Sequence, residues 1–140
     1  MASNTLPITP GTVQAVKAVL ATACTDKTGA TVTNLVAGYT AKTFANGGNG
    51  AIISGFTATA PSGTSTATAA FVLLVFYKSA AGVLELIREI AVAAGTGSTT
   101  AIGATTGYVQ VNKSLEPGDS IWFGTTVTLP VQVTGDAGEF

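Results

Sequence analysis

The apolar positions of this chain fall into short runs of strand length, punctuated by glycine, asparagine and proline. The longest run, Ala69 to Tyr77 (AAFVLLVFY), has no polar residue in its interior. An unbroken apolar run of that length predicts a strand buried on both faces. In a two-layer protein one face meets the opposite sheet. The other must be covered by an arm, a loop or another subunit.

The remaining segments follow the same period. Val13 to Cys24 alternates, with Ala15, Lys17, Val19 and Ala21 on one side and Val16, Ala18, Leu20 and Thr22 on the other. Asp26 to Gly29 reads as a turn and Thr31 to Val36 as a short strand. Asn46-Gly47-Gly48-Asn49-Gly50 is the clearest reversal, because Asn and Gly tolerate positive φ. Ala51 to Ala60 follows as a strand.

Val83 to Ala93 (VLELIREIAVA) fits a helical stripe at Leu84, Ile87 and Ile90. It also fits a strand with Leu84, Leu86, Ile90 and Val92 on one face and Glu85, Ile87 and Glu89 on the other. Strand is the expectation, because the short loop from Lys78 to Gly82 makes hairpin pairing local and cheap in closure entropy. Ala94 to Gly107 reads as a loop, Tyr108 to Asn112 as a strand and Glu116 to Asp119 as a turn. Ser120 to Thr128 reads as a strand in which Gly124 marks a bulge or a close approach. Pro130 predicts an edge position for a last strand, Val131 to Thr134, before a polar tail.

Seven or eight strands with turns between them predict an all-β protein, a β-sandwich or jelly roll of about eight strands. Residues 1–12, with Pro7, Pro10 and Gly11, read as an extended arm, and 13–140 as a single domain.

Composition narrows the function. The chain has no histidine, one cysteine, and 9% charged residues in 140 positions. Catalysis usually needs a positioned acid, base, nucleophile or metal ligand, and few are present. Cys24 has no partner for an intrachain disulfide. The net charge of -1 and the scattered basic residues offer no field for nucleic acid or anionic membrane. The same near-neutrality leaves little repulsion between copies.

Met1 to Gly11 has no signal-peptide pattern, and the longest apolar run is far short of the ~20 residues of a spanning helix. These features lead us to expect a soluble protein made in a cytoplasm.

The possible chemical motifs are weak. Gly47-Gly48-Asn49-Gly50 lacks dinucleotide-loop spacing, and Gly95-Thr96-Gly97-Ser98-Thr99-Thr100 lacks the P-loop lysine. Glu116 and Asp119 share a turn and read as solvated, while Glu85 and Glu89 read as a solvated or interface face of one strand. No cofactor or metal is expected. Asn112-Lys113-Ser114 matches a glycosylation tripeptide, which means nothing without a secretory signal.

Partner contacts are the remaining expectation. The candidates are Leu6 and Ile8 on the arm, Phe71 and Leu73 on the doubly apolar strand, and the adjacent Trp122 and Phe123. One of that last pair must face away from the sandwich centre.

The Asn46–Gly50 turn, the strand with Ile52-Ile53, the run Ala70 to Tyr77, and Leu84-Glu85-Leu86-Ile87-Arg88-Glu89-Ile90-Ala91-Val92 together carry a resemblance. So does the turn Leu115-Glu116-Pro117-Gly118-Asp119-Ser120-Ile121. The chain is similar over roughly residues 30–128 to small β-rich virion proteins of tailed bacteriophages. The likeness departs at Ser79-Ala80-Ala81-Gly82, where the family usually has Asp-Gly-Thr.

The resemblance implies a head decoration (cement) protein on the outer capsid surface. Its partners would be the major capsid protein and itself, as a homodimer or homotrimer. It would clamp neighbouring subunits, with the arm widening each footprint. Other readings are a tail, neck or head-fibre-base component, or a carbohydrate-binding module using Tyr39, Tyr108 and Trp122.

Overall fold

The computed structural model describes residues 11–28, 32–60, 70–95 and 103–140. Eight strands are found among them. They are β1 (Thr12–Leu20), β2 (Val36–Thr40), β3 (Ala51–Ala60), β4 (Phe71–Lys78), β5 (Leu84–Val92), β6 (Ala104–Leu115), β7 (Ser120–Thr125) and β8 (Val131–Glu139).

They form two four-stranded antiparallel sheets, ordered β1-β8-β3-β6 and β2-β7-β4-β5. Thus β1 pairs with β8, β2 with β7, β3 with β6 and β4 with β5. The chain is one long hairpin, with its tip at the β4–β5 turn, rolled so that β8 also meets β3 and β7 also meets β4. This winding is the jelly roll, a double-sheet sandwich.

Alternation supplies the core. Val16, Ala18 and Leu20 of β1, Ile53, Phe56 and Ala58 of β3, and Val131 and Val133 of β8 point inward. They meet Phe71, Leu73 and Val75 of β4 and Ile121 and Phe123 of β7. Phe56 and Phe123 join the layers edge to face, with ring centroids 4.9 Å apart. Such a pair adds about 0.5–1.5 kcal/mol beyond its burial. Gly38 is the extra residue of a bulge in β2, and a methyl group there would collide with the Phe123 ring. The bulge gives that ring its space.

The doubly apolar strand is real, and its cover comes from the chain itself. Leu74 and Phe76 are fully buried although they point away from the sandwich core. The long connection between β1 and β2 crosses this outer face. Cys24 donates its N–H to the Thr125 carbonyl (2.8 Å). Cys24 and Leu35 pack onto Gly124, where a methyl group would strike both. Lys27 reaches Glu89 at 2.5 Å. Gly124 and Glu89 are the two cross-strand neighbours of Leu74, so the connection closes over that side chain.

The connection is clipped to itself by local bonds. Asn34 Nδ2 donates to the Ala23 carbonyl (2.9 Å), and the Thr25 and Thr33 hydroxyls lie 3.0 Å apart. Thr28 N–H bonds Asp26 Oδ1 (2.7 Å), the expected turn.

Several expectations change. The strand expected over 31–36 begins only at Val36, because Asn34 adopts positive φ (63°) and Val32 to Leu35 belong to the cover. β8 is central, not an edge strand: Pro130 sits just before the ladder and so removes no donor from it. The supposed polar tail continues β8 to Glu139, and its small residues let β8 approach β3 closely at Gly135 and Gly55. β6 starts at Ala104, inside the expected loop.

Val83 to Ala93 is a strand, as expected, but a bulge at Ile87 interrupts its alternation. Val75 faces Arg88 while the next residue, Phe76, faces Leu86. The extra residue lets Ile87 join the core while Arg88 stays exposed. That one-residue slip is why the segment also reads as a helical stripe.

Gly124→Val should push the segments 21–28 and 32–35 off the sheet. Urea unfolding should show a loss of about 1–3 kcal/mol. Cys24, whose thiol pKa burial raises, should react faster with a disulfide reagent.

Candidate interaction surfaces

Two buried acidic residues serve structure. Asp119 is only 3% exposed, contrary to the expectation of a solvated turn. Its carboxylate accepts the Glu116 N–H (2.9 Å), the Ala80 N–H (2.9 Å) and the Tyr77 hydroxyl (2.5 Å). One side chain therefore ties the β6–β7 turn to the β4–β5 hairpin. Gly118, at φ +90°, permits that turn.

Glu139 is similarly occupied. It accepts the Tyr39 hydroxyl and an ion pair from Lys42 at 3.3 Å. These contacts bind the end of β8 to β2 and to the loop before β3. The tyrosine hydrogen bond, ahead of the lysine, holds the Glu139 carboxyl below its ordinary range. Among the described residues no group of acidic, cysteine or histidine side chains could hold a metal ion. Among the same residues no helix is long and apolar enough to cross a membrane.

Three of the expected partner contacts are corrected. Phe71 (4% exposed), Leu73 and Phe123 (both 0%) face the opposite sheet and are filled by the chain's own core. The alternation that sends Trp122 outward sends Phe123 inward. Leu6 and Ile8 lie outside the described residues.

Trp122 does face away from the core, half-buried beside the β1–β2 connection. Its indole N–H donates to Ser120 Oγ (2.7 Å), and Lys78 Nζ lies 5.0 Å from the ring centre. It borders a shallow pocket of about 230 Å³ with Val32, Leu35 and Leu84. With a cation already over its ring, the indole has a face in use.

The three aromatics considered for a sugar platform lie apart. Tyr39 packs at the core margin and bonds Glu139, Trp122 lies outside the second sheet, and Tyr108 lies outside the first.

The outer face of the first sheet has a different character. Its cross-strand rows run Val13-Gly138-Ile52-Ser114, Ala15-Asp136-Gly55-Gln110, Lys17-Thr134-Thr57-Tyr108 and Val19-Gln132-Thr59-Thr105. Lys17 and Asp136 are the only charges in these rows. Val13 (74%), Val19 (66%) and Tyr108 (62%) are among the most exposed large apolar side chains. Val13 and Val19 were not candidate contacts in the sequence, and Tyr108 was one only for a sugar, although the alternation of β1 already placed Val19 opposite the core residues. A shallow depression of about 340 Å³ beside Lys17, Val19, Gln132 and Thr134 adds relief at the β1 margin. The two outer faces thus differ: one lies under a loop, and no described segment crosses the other.

No protein-family model matches this chain, and no curated protein sequence matches it. The fold and these surfaces therefore carry the functional reading.

The buried acid–phenol pairs make stability pH-dependent at both ends. The contribution of Glu139 is complete above the ordinary carboxylate pKa of 4.5 and is lost as pH falls through its lowered value. The hydrogen bond to Asp119 is the main cause that pushes Tyr77 up to about 12 from 10.0. Its contribution is complete below pH 10 and is lost as pH rises to about 12. Tyr39 moves in the same direction, mainly through burial. Tyr77→Phe should partly flatten this alkaline limb in denaturant titrations. Asp119→Ala, which strands two turn N–H groups, should cost about 3 kcal/mol at pH 7.

Proposed function

We propose that this protein is a structural component of a bacteriophage virion, a head decoration (cement) protein that binds the outside of a capsid. In this reading it bridges neighbouring major capsid protein subunits, without a cofactor and without catalysis. The observation that carries the reading is the outer face of the first sheet, which no described segment crosses. It is broad and threonine-rich, with Lys17 and Asp136 as its only charges.

A surface of this composition suits docking onto protein. Desolvating threonine and small apolar groups costs little beside desolvating charges, and interface centres are depleted in charge. The buried acids Asp119 and Glu139 are committed to turns and strand ends, which also favours a binding role over a catalytic one. The jelly-roll sandwich gives the face a rigid backing, because its inner side is the packed core. Repetition over a shell would turn ordinary contacts, each burying roughly 1,200–2,000 Å², into a large total stabilisation.

Purified protein should co-sediment with expanded heads of the phage that encodes it. Gln110→Lys with Gln132→Lys, which places two charges on exposed positions of the face in different cross-strand rows, should weaken that binding at least about tenfold. The melting temperature should scarcely move, since exposed substitutions usually change stability by less than about 0.5 kcal/mol. Wild-type protein that fails to bind such heads would overturn the proposal.

A further inference from the structure

The two sheets have four edge strands: β1 and β6 in the first, β2 and β5 in the second. Three are interrupted by register shifts. β2 is broken at Gly38, β5 at Ile87, and β6 at two places near Gly107 and Asn112, both with positive φ. Bulges of this kind twist an edge away from further pairing. β1 is different. Its nine residues pair with β8 without a shift, from Thr12↔Glu139 to Leu20↔Val131. It contains no proline, and among the described residues it pairs with β8 alone. A regular, unpaired edge is a template for strand addition.

We infer that β1 pairs antiparallel with β1 of a second copy, about a two-fold axis through Val16, joining the two first sheets into one continuous sheet. An antiparallel pair between identical strands must be centred on one residue if the outer faces are to stay on the same side. Val16 is the midpoint of β1, so this register uses all nine residues. On the outer face it sets the exposed Val13 against Val19 of the second copy, and the reverse.

It also resolves the one charge on the strand. A centre at Lys17 would oppose two lysines, which is repulsive. A centre at Val16 puts Lys17 beside Ala15 of the second copy. The small alanine leaves the lysine a path to Asp136 of that copy, one strand further on and roughly 10 Å across the sheet. Within one chain neither Lys17 nor Asp136 makes an ion pair among the described residues. The dimer would therefore carry two symmetric Lys17–Asp136 attractions across its seam. Its outer face would be the outer face of the first sheet doubled.

This dimer does not depend on the virion reading, and it can be tested in purified protein without capsids. In a Cys24→Ala background, an equimolar mixture of Val13→Cys and Val19→Cys proteins should form a disulfide-linked dimer under mild oxidation. Opposed Cβ atoms in such a pair lie about 4.5–5.5 Å apart. Either protein alone should not cross-link. Ala15→Lys, which sets like charges opposite each other at two symmetric places, should raise the dimer dissociation constant about tenfold in sedimentation equilibrium. Its monomer should melt as the wild type does. A wild-type protein that stays monomeric up to about millimolar concentration, or Val13→Cys that cross-links with itself, would overturn the inference.

Discussion

A strand that is oily on both sides has to be covered on both sides, and β4 is such a strand. Phe71, Leu73 and Val75 meet the first sheet, while Leu74 and Phe76 point the other way and are just as deeply buried. Leaving those two side chains in water would forfeit about 1.5–3 kcal/mol each. The β1–β2 connection meets the need. It crosses the second sheet, sets Cys24 and Leu35 on Gly124, and reaches Glu89 through Lys27. The exposed ion pair adds little by itself. The apolar contact and the Cys24 backbone bond to Thr125 anchor the crossing.

Much of the molecule follows from where that cover lies. Residues used as a lid over one sheet cannot also shield the other. The first sheet keeps a face of threonines, small apolar groups and one pair of opposite charges. Beneath it, the roll is closed by ties at its turns and strand ends. Asp119 holds two turns with one carboxylate, and Glu139 holds the last strand to β2 and the β2–β3 loop. Buried acids that satisfy backbone donors make turns specific, because a wrong turn would leave those donors unpaired.

The edges tell a related story. Bulges at Gly38, Ile87, Gly107 and Asn112 shape three of the four margins. Two of them also serve packing, making room for Phe123 and turning Ile87 inward. The regular fourth margin, β1, borders the face that no described segment crosses. Pairing there would extend that face without altering either core. The proposed dimer and the proposed docking surface would thus share one sheet.

The sequence alone determined the class of structure. Period-two alternation, strand-length apolar runs and glycine-rich turns define an all-β sandwich, because those patterns are set by the local geometry of the strand. Ala51 to Ala60 and the Glu116–Asp119 turn are legible at nearly residue resolution for that reason. The double burial of Ala69 to Tyr77 was legible too, but not the identity of its cover. Only the tertiary structure decided that a loop of the same chain supplies it. It also decided that β8 is central despite Pro130, that Phe71, Leu73 and Phe123 serve the core, and that Asp119 is buried. Each of these depends on which distant strands become neighbours, and on single-residue bulges that reverse a side chain's direction. Hydrophobic pattern records that a side chain needs shelter; the winding of the chain decides which neighbour provides it.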